Sequence, residues 1–375
     1  AHPYLTMQPQ TEAGIVRALR EIVARGHVVH GFKPVNWCLD CRSSLAEAEV
    51  EYEDKTSDSI DVRFAMHDPA ELARRMGSDV VPPAVDVIIW TTTPWTLPAN
   101  LAVSVHPEHD YALIEGEGRW FVIAQEMMDS VRERWGISAP WTVHATAKGS
   151  ALDRLPLAHP FIERDSLLIN GDHVTLDAGT GCVHTAPAHG VEDFEVCRRY
   201  GIDVLNPVLG DGTFSSDTPH FAGENVFKAN PKIVQLLRDT GRLVHHDAIR
   251  HSYPHCWRHH SPTIYRATAQ WFISMDKAGL RQTALDGLQH VRFTPEWGRS
   301  RLTNMIADRP DWGITRQRYW GVPLCFVQHK ETGELHPDIL NIMDKAAAVI
   351  EKDGIEAWFT LALEELIPTT DLAHY

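Results

Sequence analysis

Residues 87–100 read VIIWTTTPWTLPAN, an apolar run that leads into three consecutive threonines. Four apolar residues bounded by turn residues are typical of a buried strand. Pro94 and Pro98 stiffen the loop that follows, and Asn100 closes it. Hydroxyls in a row on such a loop can hydrogen-bond a ribose or an ester oxygen, or they can cap the end of their own strand. Both interpretations stay open from these residues alone.

Comparable apolar runs surround this stretch and alternate with turns that contain glycine and proline. They indicate a β-rich domain with peripheral helices between about residues 61 and 249. Helical spacing of apolar residues predicts one helix from Thr11 to Gly26, another over 230–240, and helices in the tail at 337–375. The strand-like runs lie at 60–64, 85–90, 111–114, 120–123 and 173–176.

The charge balance limits the classes of partner. The 375 residues include 35 Lys and Arg against 50 Asp and Glu, a formal net charge of −15. This excludes a uniformly basic nucleic-acid binder, although a protein that recognises a folded RNA needs only a local basic patch. Such a patch lies between Arg292 and Arg318, where there are six arginines and three acidic residues.

Length and cysteine usage suggest a cytoplasmic protein of about two or three domains. No apolar run approaches the about 20 residues of a membrane helix, so no membrane span is expected. Six dispersed cysteines point to a reducing compartment. The first residues, Ala1 to Tyr4, have neither an initiator Met nor the pattern of a signal peptide, which suggests an excised piece.

A second unusual stretch, residues 179–194, reads GTGCVHTAPAHGVEDF. Asp193 can anchor a substrate ammonium by a charge-assisted hydrogen bond, or it can simply be a first-turn acid that favours the helix dipole. A zinc-dependent hydrolase with His184, His189 and Asp193 as metal ligands is a further alternative. Cys182 is a weaker candidate nucleophile, because no Ser or Cys lies in an elbow such as GxSxG.

Two short knuckles predict a metal site. Cys38 and Cys41 form a CxxC, and Cys256 and His259 form a CxxH far downstream. Together they can close one tetrahedral Cys₃His zinc site with no open position, which makes the site structural. The segment between the knuckles would then be an insertion with closely spaced ends. Unmetallated thiols are the alternative, and the neighbouring His255 and His260 leave the fourth ligand open.

The motifs resemble those of the bacterial isoleucyl-tRNA synthetases, which are class I aminoacyl-tRNA synthetases. The resemblance rests on residues 87–100 and 179–194, on KPVNWC at 33–38 and on ITRQRYWGVP at 314–323, and covers nearly the whole chain. The motif with three consecutive threonines resembles that of the isoleucine enzymes in particular, because the valine and leucine enzymes have an Arg after the first two threonines. His259 departs from the family pattern, in which many members have a fourth Cys.

The resemblance implies an α/β fold. Residues 51–250 would form a barrel-like, β-rich editing domain, inserted into flanking segments of a Rossmann-type catalytic domain. Residues 1–50 would contain the first zinc knuckle, and residues 251–375 would contain the second knuckle and return to an incomplete catalytic core.

The resemblance also implies a function: hydrolysis of valine wrongly esterified to the isoleucine tRNA, by a positioned water. Thr93 and His184 would line the side-chain pocket, and Asp193 would hold the α-amino group. Thr92 and Asn100 would position the terminal adenosine or the water. Trp90 and Thr91 would complete the substrate-binding surface, with Trp90 in the pocket floor.

The expected partners are the acceptor end of the isoleucine tRNA, contacted by the arginine-rich flank, and valine and isoleucine as aminoacyl groups. A monomer is expected. Neither His-Ile-Gly-His nor Lys-Met-Ser-Lys-Ser occurs in the chain, so ATP is expected to serve the parent enzyme only. The remaining alternative is a structural insertion that binds RNA and has no activity of its own.

Overall fold

The computed structural model describes residues 3–318 and 320–375. Ala1 and His2 of the expected excised start, and Tyr319 of the 314–323 motif, lie outside the described residues. The chain divides into two compact units. One is continuous, Lys33–Thr268, and the other combines Ala1–Phe32 with Ala269–Tyr375. The boundaries predicted at residues 50 and 250 stay a prediction.

Fourteen strands are formed by the described residues. They are β1 (Val28–Cys38), β2 (Ser43–Leu45), β3 (Val50–Met66), β4 (Asp86–Thr91), β5 (Ala102–Val105), β6 (Asp110–Gly116), β7 (Arg119–Ala124), β8 (Thr142–Lys148), β9 (Pro156–Ala158), β10 (Asp165–Asn170), β11 (Cys182–Thr185), β12 (Leu243–Cys256), β13 (Ile264–Ile273) and β14 (Trp312–Gly313).

Ten α-helices accompany these strands in the described residues. They are α1 (Pro9–Ala24), α2 (Pro69–Met76), α3 (Met128–Arg134), α4 (Val191–Tyr200), α5 (Val226–Asp239), α6 (Leu280–Leu288), α7 (Gly298–Ala307), α8 (Ile339–Asp353), α9 (Glu356–Thr360) and α10 (Leu363–Leu366). None of the described helices is long and apolar enough to cross a membrane.

The larger unit is built on a ten-stranded sheet that closes on itself. The strand order is β12-β3-β9-β10-β5-β11-β4-β7-β6-β8, and an additional pairing joins β3 to β4. Six strands therefore form a ring from β3 through β9, β10, β5, β11 and β4 back to β3. Buried side chains such as Ile60, Phe64 and Ile89 fill its core. The fold is mixed α/β with peripheral helices, as expected, and the barrel-like sheet is confirmed.

Register places the two unusual stretches side by side. Trp90 on β4 is the parallel partner of Val183 on β11. On its other side β4 pairs antiparallel with β3, where Thr91 lies opposite Ile60. Because side chains alternate between the faces of each strand, this pairing brings Thr91, the first of the three threonines, next to His184.

Most predicted elements agree with the structure. The runs at 60–64, 111–114 and 120–123 fall within strands, the run at 85–90 matches β4 apart from Val85, and the helix expected from Thr11 to Gly26 is α1. The prediction of a strand at 173–176 was wrong, because these residues lie in turn, bend and irregular backbone between β10 and β11. Gly179, at φ 83°, lies further along this segment in the left-handed region.

The smaller unit is mainly helical. Helix α1 packs on α8, and Arg17 pairs with Glu351 at 2.6 Å across their exposed faces. The tail expected to be helical forms α8, α9 and α10. Strands β13 and β14 pair antiparallel through Phe272 and Gly313. They belong to a four-stranded sheet of order β14-β13-β1-β2. The Rossmann-type assignment of the flanks stays a prediction.

Candidate active site

A cavity of about 360 Å³ lies where β4 and β11 end beside the start of α4. This volume is in the range of small-molecule sites in proteins. Residues from both unusual stretches line it, together with a turn segment. The lining residues are Trp90, Thr91, Thr92, Thr93, Thr96, His173, Thr175, Asp177, Ala178, Val183, His184, Ala186, His189 and Asp193.

His184 is held on both sides of its ring. Asn100 Nδ2 donates to His184 Nδ1 at 2.8 Å, so this nitrogen is an acceptor and the proton lies on Nε2. Nε2 then donates to Thr96 Oγ1 at 2.7 Å, and that hydroxyl donates to the Thr93 carbonyl at 2.9 Å. Burial lowers the pKa of His184 to about 3. The ring is therefore neutral and rigid, with neither nitrogen free to take a proton.

Asn100 lies behind the cavity. Its side chain is fully buried and does not line the cavity. A second hydrogen bond, from Nδ2 to the Ala102 carbonyl at 2.8 Å, fixes the orientation of the amide, because a carbonyl oxygen can only accept. Asn100 thus reaches a ligand only through His184, and the direct contact with adenosine or water expected from the sequence is corrected to a positioning role.

Asp193 lies in the first turn of α4 and lines the cavity. One carboxylate oxygen, Oδ2, accepts from the Ala186 backbone N–H at 2.9 Å. Burial raises the pKa of Asp193 to about 7, and this hydrogen bond only partly opposes the shift. No basic side chain neutralises the carboxylate in the described part of the chain. A cation that enters the cavity would therefore find a charge partner.

The three threonines differ in what they contact. Thr91 Oγ1 accepts from the backbone N–H of Thr93 at 3.1 Å and lies 3.2 Å from the Thr93 hydroxyl. The strand-capping interpretation therefore holds for Thr91. Thr92 lines the cavity, and its hydroxyl has no hydrogen-bond partner among residues 3–318 and 320–375. Thr92 is thus the threonine available to a ligand.

One wall of the cavity was missed by the sequence analysis. His173, Thr175 and Asp177 belong to the segment predicted as a strand, and the turns bring them to the cavity. A Cβ on Gly179 would lie 3.0 Å from the Trp90 ring, so this glycine permits the close approach of the segment to Trp90. The glycines at 171 and 179 were the available signal for turns. Thr96 and its contact with His184 were missed as well.

The structure argues against two alternatives. His184, His189 and Asp193 do not form a common ligand group among the described residues, since their candidate ligand atoms do not gather within 4.8 Å of one another. Both nitrogens of His184 are also engaged. The Cys182 thiol is only 1% exposed, and burial raises its pKa far above the ordinary value. It is therefore inaccessible and protonated.

The four predicted zinc ligands do come together. Cys41 Sγ lies 3.1 Å from His259 Nδ1 and 3.9 Å from Cys256 Sγ, and Cys38 Sγ lies 3.7 Å from the same nitrogen. All four ligand atoms are within 4.8 Å of one another. Tetrahedral zinc with bonds of about 2.0–2.3 Å separates its ligand atoms by about 3.5–3.8 Å. The geometry fits zinc, and we call these four residues the cysteine cluster.

The neighbouring histidines are engaged elsewhere. His255 Nδ1 donates to the Tyr253 carbonyl at 2.8 Å, and His260 lies 3.4 Å from Glu51. The structure therefore selects His259 as the fourth member of the cysteine cluster. Burial raises the pKa of Cys41 to about 12, so its thiolate form needs a nearby cation.

Comparison with known proteins identifies the family. The model of the class I tRNA synthetases for isoleucine, leucine, methionine and valine matches residues 1–373. The chain belongs to the class I tRNA synthetases. The resemblance inferred from the motifs is thereby confirmed.

The curated relatives of this synthetase chain include isoleucine–tRNA ligases. The ligase of Dichelobacter nodosus is 66% identical over 373 residues, which are 100% of this chain and 40% of the relative. The ligase of Erwinia tasmaniensis is 52% identical over 366 residues, 97% of this chain and 39% of the relative. The synthetase chain thus spans about two fifths of the length of these relatives.

Solved structures similar to the synthetase chain include two cytosolic leucyl-tRNA synthetase editing domains. That of P. knowlesi has a TM-score of 0.40 and 11% identity, and covers 50% of this chain and 96% of that chain. That of P. falciparum has a TM-score of 0.40 and 9% identity, with 52% and 99% covered.

The arginine-rich flank of the synthetase chain lies in the smaller unit. Arg299 is engaged by Glu296 at 2.9 Å and by the Leu288 carbonyl at 2.8 Å, so it supports local structure. The side chains of Arg292, Arg301 and Arg309 are exposed. Contact of this flank with a tRNA acceptor end stays a prediction.

Proposed function

We propose that the cavity hydrolyses the ester bond of valine attached to isoleucine tRNA, a deacylation that edits wrongly charged tRNA. The observation that carries the proposal is a half-buried carboxylate without a cationic partner beside a rigid, neutral imidazole. An aminoacyl ester offers the matching groups, namely an α-ammonium for Asp193 and a small apolar side chain against His184. The isoleucine ligase relatives support the choice of isoleucine tRNA in this proposal.

Each residue then has a distinct role. Asp193 binds the ammonium through a charge-assisted hydrogen bond, which is stronger than a neutral one. His184 forms a wall that excludes the larger isoleucine side chain, with Thr93 on the same surface. The unpartnered hydroxyl of Thr92 is available to a ribose hydroxyl or to the attacking water. Trp90, whose Nε1 donates to Ser59 Oγ at 2.8 Å, completes the floor.

A covalent nucleophile is not needed, because an aminoacyl ester is already activated and a positioned water suffices. The engaged nitrogens of His184 also favour its role as a wall over that of a general base. A second site that selects by size, in addition to the site that activates the amino acid, has a clear physical purpose. One methylene gives only about 10–200-fold discrimination, a range for which isoleucine and valine are themselves the standard example.

The test is release of amino acid from tRNA by the purified chain. Isoleucine tRNA is charged either with valine or with isoleucine, and free amino acid is measured over time. We expect valine to be released and isoleucine to be retained. Release of neither would contradict the proposal and favour the alternative, an RNA-binding insertion without activity. Release of both at equal rates would contradict the size-excluding role of His184.

We further propose that the cysteine cluster holds a structural zinc ion through Cys38, Cys41, Cys256 and His259. Zinc would supply positive charge that favours the thiolate forms of Cys38 and Cys41, whose pKa values burial raises, and four protein ligands would leave no open position for catalysis. Metal content per chain, measured by mass spectrometry after dialysis, tests this, with one zinc expected.

The activation of isoleucine with ATP and its transfer to tRNA are proposed only for a protein of the full length of the isoleucine ligase relatives. Isoleucine-dependent pyrophosphate exchange by this chain alone would contradict that assignment.

A further inference from the structure

One wall of the cavity has few attachments of its own. Thr175, Asp177 and Ala178 line the cavity and are exposed, and we call residues 175–178 the turn wall. In the part of the chain that the structure describes, no hydrogen bond joins the backbone of the turn wall to another residue. Only Leu176 packs against the core. The position of the turn wall therefore depends on how the residues on either side of it are fixed.

Hydrogen bonds fix the segment on both sides of the turn wall. Before it, the Gly171 N–H donates to a carbonyl of β5 at 3.0 Å. After it, Thr180 Oγ1 donates to a carbonyl of β4 at 2.7 Å. The Gly179 carbonyl, directly after the turn wall, accepts from Nη1 and Nη2 of Arg134, both at 3.4 Å. Of these attachments, that of Arg134 is nearest in sequence to the lining residues.

Arg134, the last residue of α3, is itself held by a buried ion pair. Its Nη2 lies 2.7 Å from Asp61 Oδ1, and its Nε lies 3.2 Å from Asp61 Oδ2. Asp61 on β3 is only 1% exposed and also accepts from Trp135 Nε1 at 3.0 Å. A bidentate pair of this kind fixes a guanidinium in direction as well as in position. The N–H groups that face Gly179 are thus oriented by β3.

The ion pair and the turn wall both lie beside Trp90. Asp61 on β3 is the partner of Trp90 on β4 in the sheet. A Cβ on Gly179 would lie 3.0 Å from the Trp90 ring, so the turn packs closely on that ring. Arg134 therefore joins the strand that pairs with Trp90 to the turn that covers it. Without this contact, the turn wall would be free to move away from Trp90.

We propose that Arg134 is a positioning residue of the cavity, which holds the turn wall at a fixed distance from Trp90. The inference rests on the proposed deacylation, because a fixed wall matters to the ligand that contacts it. The turn wall contains none of the groups assigned to the reacting ester, which are Asp193, His184 and Thr92. Its contacts with the substrate are therefore the same in the ground state and in the transition state. Such uniform binding lowers KM and leaves kcat unchanged.

The test replaces both members of the ion pair, Arg134→Gln together with Asp61→Asn, because removal of Arg134 alone would leave a buried charge without a partner. With isoleucine tRNA charged with valine, we expect this double variant to raise KM about tenfold, as for the loss of one charged hydrogen bond. Its kcat should stay within about twofold of the wild type. Asp61→Asn alone keeps Arg134 and an oxygen that accepts from it, so it should change neither value.

A merely structural role of the ion pair predicts a different pattern. A partly unfolded sample contains fewer active sites, so both variants would then lower the apparent kcat at an unchanged KM. That result would overturn the inference, as would an equal rise of KM in the two variants. Arg132→Gln is the matched control on the same helix, because Arg132 pairs with the exposed Asp129 at 3.0 Å and does not line the cavity. It should leave KM and kcat unchanged.

Failure of the proposed function is distinguishable from failure of this inference. If the wild-type chain releases no valine, deacylation is contradicted, and amide hydrogen exchange of residues 172–179 then tests the role of Arg134 directly. Faster exchange of this segment in the double variant, and in neither Asp61→Asn nor Arg132→Gln, supports the inference. Exchange that is unchanged in the double variant, or equally fast in Asp61→Asn, overturns it.

Discussion

The cavity and the cysteine cluster both bury titratable side chains, but they stabilise them differently. In the cavity, His184 is neutral and satisfied by Asn100 and Thr96, so the protein itself completes its hydrogen bonds. In the cysteine cluster, three thiols and an imidazole face one another, and burial raises the pKa of Cys38 and Cys41, so a cation is needed to favour those two thiolates. The cavity is therefore preorganised by its own fold, whereas the cluster, as we propose, is completed by a bound ion. Asp193 is the exception in the cavity, because no basic side chain among the described residues neutralises its carboxylate.

The largest effect on hydrolysis is expected when that charge is removed. Asp193→Asn keeps an oxygen to accept from the Ala186 N–H but loses the ion pair with the substrate ammonium. We expect kcat/KM for valyl-tRNA to fall about 100-fold. Glu192→Gln, an exposed neighbour in the same helical turn, is the control and should change kcat/KM less than about twofold. Near-normal hydrolysis by Asp193→Asn would remove Asp193 from the site.

A smaller effect is expected when the wall is removed. His184→Ala opens space for the extra methylene of isoleucine, so the preference for valyl over isoleucyl ester should fall about 10-fold or more. The ratio of the two release rates measures it. Thr96→Val keeps the imidazole but removes the hydroxyl that joins His184 Nε2 to the Thr93 carbonyl, so it should reduce the preference less. An unchanged ratio in His184→Ala would show that another residue excludes isoleucine.

The pH dependence should follow the Asp193 carboxylate, whose pKa burial raises to about 7. As the pH falls through about 7, Asp193 takes up a proton, ammonium binding weakens, and kcat/KM should fall about tenfold for each pH unit below the pKa. Rate measurements from pH 5 to pH 8 test this after correction for spontaneous ester hydrolysis. A profile that is flat between pH 6 and pH 8 would contradict the role of Asp193.

The same shift has a consequence for stability. The folded-state pKa lies above the unfolded value near 4, so the folded chain binds more protons between about pH 4 and pH 7, and its unfolding free energy falls as pH rises through that window. Asp193→Asn should therefore be more stable than the wild type at pH 8 and similar to it near pH 4. Thermal unfolding at both values provides this control for the loss of activity.

The smallest effect on hydrolysis is expected at the cysteine cluster. Cys256→Ser should lose zinc and lower the melting temperature by several degrees, because metal binding contributes to folding. Below that temperature its kcat/KM should stay within about twofold of the wild type, since the protein completes the cavity without the ion. Cys197→Ser, outside the cluster, is the control for zinc content. A large fall in kcat/KM in the still-folded variant would contradict the expectation that the cavity keeps its structure without the ion.

The motifs predicted much of the site because strand register brings them together. Trp90 and Val183 are paired neighbours, so the residues flanking them line one cavity although about 90 residues separate them in the chain. The position of Asn100 behind His184 was not predictable, since a motif does not tell a lining residue from one that supports it. The wall at 173–177 was missed because a short run with Val174 and Leu176 looks like a strand, although it lies in turns.

The pairing of β3 with β12 joins two strands that are synthesised at different times, because they lie far apart in the sequence. Val50 pairs with Cys256, and at about 5–20 residues per second the partner strand emerges on the order of 10–40 s later. During that interval the first half of β3 is an unpaired edge, which is a template for aggregation. Glu51, Glu53 and Asp54 lie on this half. Charged side chains on an edge strand oppose such pairing, and in the folded chain Asp54 lies 3.0 Å from Arg250 and Glu51 lies 3.4 Å from His260.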